Sequence, residues 1–108
     1  MSASFSIHPL SSAQPVPFNL DGRILFSSGE YELIHLTLQP GEEVEIHKQP
    51  FDVIFYVMEG RGTLMAGNDR IEVASDTAVL VASGVLRTWK NTGGIPLRIL
   101  VNKLLTKT

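Results

Sequence analysis

A chain of 108 residues has room for one domain, and an apolar share of 44% gives that domain a core to build. The net charge of -2 is spread along the chain without any basic run, which excludes a cationic groove and, with it, nucleic acid as the main partner. The absence of cysteine excludes disulfides, thiolate metal sites and cysteine nucleophiles together and suits a cytoplasmic protein. The N-terminal segment lacks a basic region and a long apolar run, so no signal peptide is expected, and no stretch is apolar enough to cross a membrane as a helix.

Residues 1–20 are rich in serine and contain Pro9, Pro15 and Pro17, which predicts an extended arm. Its apolar residues Phe5, Ile7, Leu10, Val16 and Phe18 are too many for a solvated tail, so the arm should lie against its own domain or a neighbour's. Strand patterns then follow over residues 24–26, 31–38, 44–49, 53–58, 62–66, 70–73, 79–81, 86–90 and 95–105, separated by turn residues. Gly67, Asn68 and Asp69 mark a hairpin tip. Many short strands at close spacing predict an all-β barrel over residues 21–108. Residues 53–58 are apolar on both faces, with Val53, Phe55 and Val57 on one and Ile54, Tyr56 and Met58 on the other. Such a strand needs cover on its outside, from the arm or from a second copy. The long apolar run 95–105 reads as an exposed strand that invites pairing with another chain. These features predict a homodimer.

Two segments resemble known motifs. Gly41, His47, Gln49, Val53 and Gly60 resemble the first motif of the cupins, in which a glycine leads to a His-x-His pair, a glutamate and a closing glycine. Asp76, Ala82, Ser83, Gly84, Arg87 and Asn91 resemble the second, and Phe55 to Gly60 is similar to the family's hairpin turn. The resemblance implies a double-stranded β-helix, or jelly-roll, barrel of the small single-domain kind. In metal-binding cupins two histidines and a glutamate of the first motif and a histidine of the second hold one divalent metal. Here only His47 matches; Gln49, Val53 and Arg87 occupy the other three positions, and Asp52 lies one residue off, on the opposite face of its strand. The metal site is degenerate.

Period-two geometry puts Glu45, His47 and Gln49 on one face, and the alignment puts Arg87, Trp89 and Asn91 on one face too. The expected ligand-binding residues are therefore Glu45, His47, Gln49, Phe55, Arg87 and Trp89, with Val53 and Val57 lining the pocket further. One imidazole and one neutral amide are a poor donor set for zinc or iron, and a guanidinium neither ligates nor tolerates a divalent ion beside it, so no cofactor is expected and a metal is disfavoured. Arg87 needs a partner: Glu45 in an internal ion pair, or the anionic group of a ligand gripped by two parallel hydrogen bonds with Trp89 against its flat part. His47 is the candidate general base. His8 and His35 read as structural or surface residues, and Lys48 and Lys90 as solvated. The leading expectation is a metal-independent domain binding a compact carboxylate or other anionic organic molecule. The alternatives are a proton-transfer enzyme of isomerase or cyclase type in the same pocket, a metal-dependent dioxygenase or lyase, and a structural dimer with a filled pocket.

Overall fold

The computed structural model describes residues 3–105; residues 1, 2 and 106–108 of the expected arm and barrel lie outside the described residues. Nine strands follow a short 3-10 turn at Leu10–Ser12: β1 (Gln14–Pro15), β2 (Asp21–Ser27), β3 (Tyr31–Leu38), β4 (Asp52–Glu59), β5 (Gly62–Ala66), β6 (Asp69–Val73), β7 (Thr77–Val81), β8 (Arg87–Lys90) and β9 (Leu97–Leu104). They form a six-stranded antiparallel sheet in the order β1-β2-β3-β9-β4-β7 and a three-stranded sheet in the order β6-β5-β8. Among the described residues no helix is long and apolar enough to cross a membrane.

The two sheets close on a core of alternating residues. Ile34 and Leu38 of β3, Leu97, Ile99 and Val101 of β9, and Val53, Phe55 and Val57 of β4 meet Leu64, Val73 and Trp89 of the small sheet. Antiparallel register makes this possible: Ile34 stands opposite Val101, which stands opposite Phe55, so one period-two set from each strand faces inward. Burying each such side chain contributes about 1.5–3 kcal/mol before conformational entropy is counted. At the small sheet's tip, Ala66 pairs with Asp69 across Gly67 and Asn68, and Gly67 takes a positive φ of 60°, as a tight two-residue hairpin requires.

Two expectations are corrected. Residues 95–105 do not form an exposed strand: β9 lies in the middle of the large sheet, with β3 on one side and β4 on the other. Residues 44–49 do not form a strand either; isolated bridges to β8 come from His47, opposite Arg87, and from Glu43 just before the segment, opposite Lys90. Residues 43–47 thus lie opposite Arg87–Lys90 with one residue to spare, which is a bulge and breaks the period-two alternation.

The arm is held by its own sheet. Gln14 and Pro15 pair with Ile24 and Arg23, and the Val16 N–H donates to Gly22 O at 2.8 Å. His8 meets the Phe26 ring edge-on at 5.3 Å. Phe5, Ile7 and Phe18 remain exposed on the single chain. The outward face of β4 is half-buried, and next to it on β7 Leu80 is 60% exposed.

Candidate functional site

β8 brings a charged and an aromatic side chain into the interior. It pairs with β5 so that Arg87 stands opposite Ala66 and Trp89 opposite Leu64, and both side chains project inward with the fully buried Leu64. Arg87 and Trp89 are each 2% exposed. Facing them from β4 is Phe55, whose ring lies edge-on to Trp89 at 5.5 Å and under the Arg87 guanidinium carbon at 5.8 Å. The cation–π contact holds the guanidinium in place but satisfies none of its N–H groups.

The hydrogen bonds of this cluster are incomplete. Arg87 makes one, from NH1 to Val85 O, at the long distance of 3.5 Å. Its Nε is buried without an acceptor, and so is Nε1 of Trp89. Among the described residues no carboxylate lies within ion-pair distance of Arg87. Burial alone pulls the guanidinium below its ordinary pKa. Each buried donor left unsatisfied costs roughly 1–3 kcal/mol, and a charged one more.

His47 sits directly across from Arg87. Their backbones exchange both hydrogen bonds, His47 N to Arg87 O at 3.1 Å and Arg87 N to His47 O at 2.9 Å, so the two side chains leave the same face. Unlike Arg87, His47 is exposed, and it stands where this face meets solvent. Its Nδ1 lies 2.9 Å from Glu45 O. A carbonyl only accepts, so Nδ1 carries a proton, and in the neutral form of the ring the lone pair is on Nε2. Gln49 is half-buried, and its backbone carbonyl accepts from the Gly84 N–H at 2.8 Å. Glu45 is exposed and makes no pair with Arg87; the bulge at residues 43–47 takes it out of strict alternation with His47. Asn91 serves the fold instead: its side-chain amide donates to Leu38 O and Ile95 O, both at 2.8 Å, and accepts from Gly93 N at 2.9 Å.

Two residues that the sequence reading passed over share this inner face. Glu32 and Lys103 face each other across β3 and β9, and Lys103 is also opposite Val53. They form an ion pair at 3.3 Å, and Ser27 Oγ donates to Glu32 at 3.0 Å. Strand parity was the signal: Glu32 continues the series Ile34, Leu36, Leu38, and Lys103 continues Leu97, Ile99, Val101. Two surface clefts lie elsewhere. One, of about 150 Å³, is on the outward face of the small sheet beside Glu43, Met65, Arg70 and Lys90. The other, of about 460 Å³, separates the 3-10 turn from β2 and β3, where Asp21 already pairs with Arg23 and His35 with Arg98.

Two sheets of antiparallel strands closed over a side-chain-lined interior define a small double-stranded β-helix barrel protein. Residues 34–102 match the cupin domain family, and the chain belongs to it. The chain is 31% identical over 67 residues to the tetracenomycin polyketide synthase protein TcmJ of Streptomyces glaucescens, covering 61% of this chain and 45% of that one, so it spans less than half the length of this curated relative. Its fold is that of a predicted oxalate decarboxylase from Thermotoga maritima, at a TM-score of 0.83 and 19% identity over 94% of this chain and all of the other. It is also that of KdgF from Halomonas, at a TM-score of 0.78 and 13% identity over 94% of each chain.

The divalent metal that the family resemblance implies does not fit the residues present. Among the described residues no three histidine, aspartate or glutamate side chains converge. The imidazole of His47 stands across from Arg87, and the buried guanidinium, without a counter-ion among the described residues, repels a cation.

Proposed function

We propose that this cupin binds a small anionic organic molecule inside its barrel, without a metal, and that Arg87 is the anchor. The observation that carries this reading is the buried Arg87 guanidinium, with Nε unpaired and no carboxylate within ion-pair distance among the described residues, beside the unpaired Nε1 of Trp89. Both are donors, and a ligand oxygen is the partner each lacks. Glu45, Gln49 and Phe55 would complete the ligand's surroundings, with Glu45 acting from the mouth rather than from the interior. The relative TcmJ is named as part of a polyketide synthase, and the carbonyl and enol oxygens of polyketides are acceptors of this kind. We place the protein in the cytoplasm and as a homodimer.

Thermal-shift measurement against small carboxylates, with and without EDTA, tests the reading. The expected result is a rise in Tm that EDTA does not remove and that Arg87→Met abolishes. The variant should itself fold, because replacing a buried unpaired charge by an apolar group of similar length is neutral or stabilising. A Tm rise that survives in Arg87→Met, or that EDTA cancels, would sink the proposal.

A second reading is favoured by the His47 tautomer. With Nδ1–H committed to Glu45 O, Nε2 offers its lone pair on the face of Arg87. That is the arrangement of a general base beside an oxyanion anchor, as a proton-transfer isomerase or cyclase needs. Deuterium wash-in from heavy water at an acidic C–H of a bound keto acid, lost in His47→Ala but with binding retained, is its expected signature.

A further inference from the structure

We infer that the barrel site is selective for a planar oxyanion carrying a single charge, a carboxylate or an enolate, over phosphates and dicarboxylates. This rests on the reading of Arg87 as the ligand's anchor and adds what that reading leaves open, the charge and shape of the group it holds.

The charge follows from the groups on the inner face. Arg87 is the one buried cation there among the described residues and has no counter-ion. The other inward-facing charges, Glu32 and Lys103, neutralise each other at 3.3 Å. Lys48 and Lys90 are exposed, and Lys90 alternates with Trp89 onto the outward face of β8. The interior therefore carries one uncompensated positive charge. One negative charge balances it; a second would be buried without a partner, at a cost of several kcal/mol.

The shape follows from which guanidinium atoms are free. Among the described residues NH1 is turned to Val85 O, Nε is buried without an acceptor, and NH2 meets no acceptor. Nε and NH2 form one edge of the fork, with two parallel N–H bonds in a plane, the pattern that meets the two oxygens of a carboxylate. Trp89 Nε1 adds one further donor from two residues along the same strand face. Three N–H donors and no second cation suit a flat monoanion and leave a tetrahedral dianion under-neutralised.

The chain contains a single tryptophan, so the indole N–H resonance of Trp89 reports binding at this site alone. The experiment is a titration of the full ¹⁵N-labelled chain at pH 8 with EDTA present, using butyrate and acetoacetate as monoanions, and succinate and inorganic phosphate as species of higher charge. The expected result is a saturable shift of the Trp89 signal with both monoanions, at least about tenfold tighter than with succinate or phosphate. Arg87→Met should lose the shift with all four. Glu32→Gln frees Lys103 from its partner, and should narrow the preference for butyrate over succinate by at least about fivefold. Succinate or phosphate binding as tightly as butyrate overturns the single-charge inference and leaves the anion reading standing. A Trp89 signal that none of the four moves overturns both.

Discussion

Nε2 of His35 lies between two nitrogens of one guanidinium, 3.1 Å from Nε and 3.0 Å from NH2 of Arg98, which also pairs with Glu59 at 3.3 Å. Only a neutral imidazole can accept there. Burial, and next to it the Arg98 charge, hold the His35 pKa below its ordinary value of 6.5; Arg23 pushes the same way, while Asp21 opposes them. In the unfolded chain His35 titrates near the ordinary value, so across the interval below about 6.5 the unfolded state binds the proton and the folded state resists it. Stability therefore falls as pH drops through that interval, and His35 adds no slope above it. The urea midpoint, measured from pH 8 to pH 5, should decline less steeply in His35→Gln, which keeps an acceptor for Arg98 but cannot be protonated. Equal slopes in the two proteins would remove His35 as the source. Sequence alone left His35 as structural or surface, because its neighbours on that face, Leu33 and Thr37, said nothing of an arginine more than sixty residues away on β9.

At the scale of elements, period two and turn residues were enough for β3, β4 and β5, but they gave only residues 24–26 of β2 and read the central β9 as an exposed strand. Residues 31–38 and 62–66 were read with their observed limits, and 53–58 lies within β4. The reading failed where one residue was inserted. In the segment 43–47 the side chains keep a strand-like sequence, but the backbone matches β8 only at its two ends, and no residue type announces the bulge. This is why His47 and Arg87 were legible as neighbours on one face while Glu45 was expected inside and stands exposed. Asn91 shows the converse: read as a member of the pocket face, it ties the end of β8 to the carbonyls of Leu38 and Ile95 instead. Asn91→Ala should cost about 2–4 kcal/mol, because two carbonyls and the Gly93 N–H lose their partner around a residue that is almost wholly buried. Chemical denaturation reads this directly, and a loss under about 1 kcal/mol would show that water replaces the clamp.

For the whole molecule, the outward face of the large sheet is an apolar surface only partly covered within the single chain. Across the sheet Leu80 stands opposite Ile54, and Tyr56 stands between Ala78 and Leu100, while the arm keeps Phe5 and Phe18 more than 70% exposed. A domain of this size gains proportionally more than a large one from covering such surface with a second copy. Light scattering at micromolar concentration should give the mass of two chains, and deletion of residues 1–18 should shift the association to higher concentration. A mass of one chain, unchanged on concentration, would exclude the dimer. The arm's pairing with β2 through Gln14 and Pro15 also means that the deletion should lower Tm.

The central place of β9 has a kinetic consequence. Within the large sheet β3 and β4 are not bonded to each other; each is bonded to β9, which follows both in the chain and is the last of the described strands. A nascent chain can close the β5–β6 hairpin and join β2 to β3 early, because those partners are near in sequence. The halves that carry β3 and β4 gain their shared sheet only when Leu97–Leu104 arrives between them. Until then two strand edges wait open, and the loops to be closed are long, which slows folding toward the millisecond-to-second range of other β domains with distant pairings. Refolding should therefore be limited by insertion of this one strand, and a chain stopped before Leu97 should remain an open, aggregation-prone species rather than a smaller barrel.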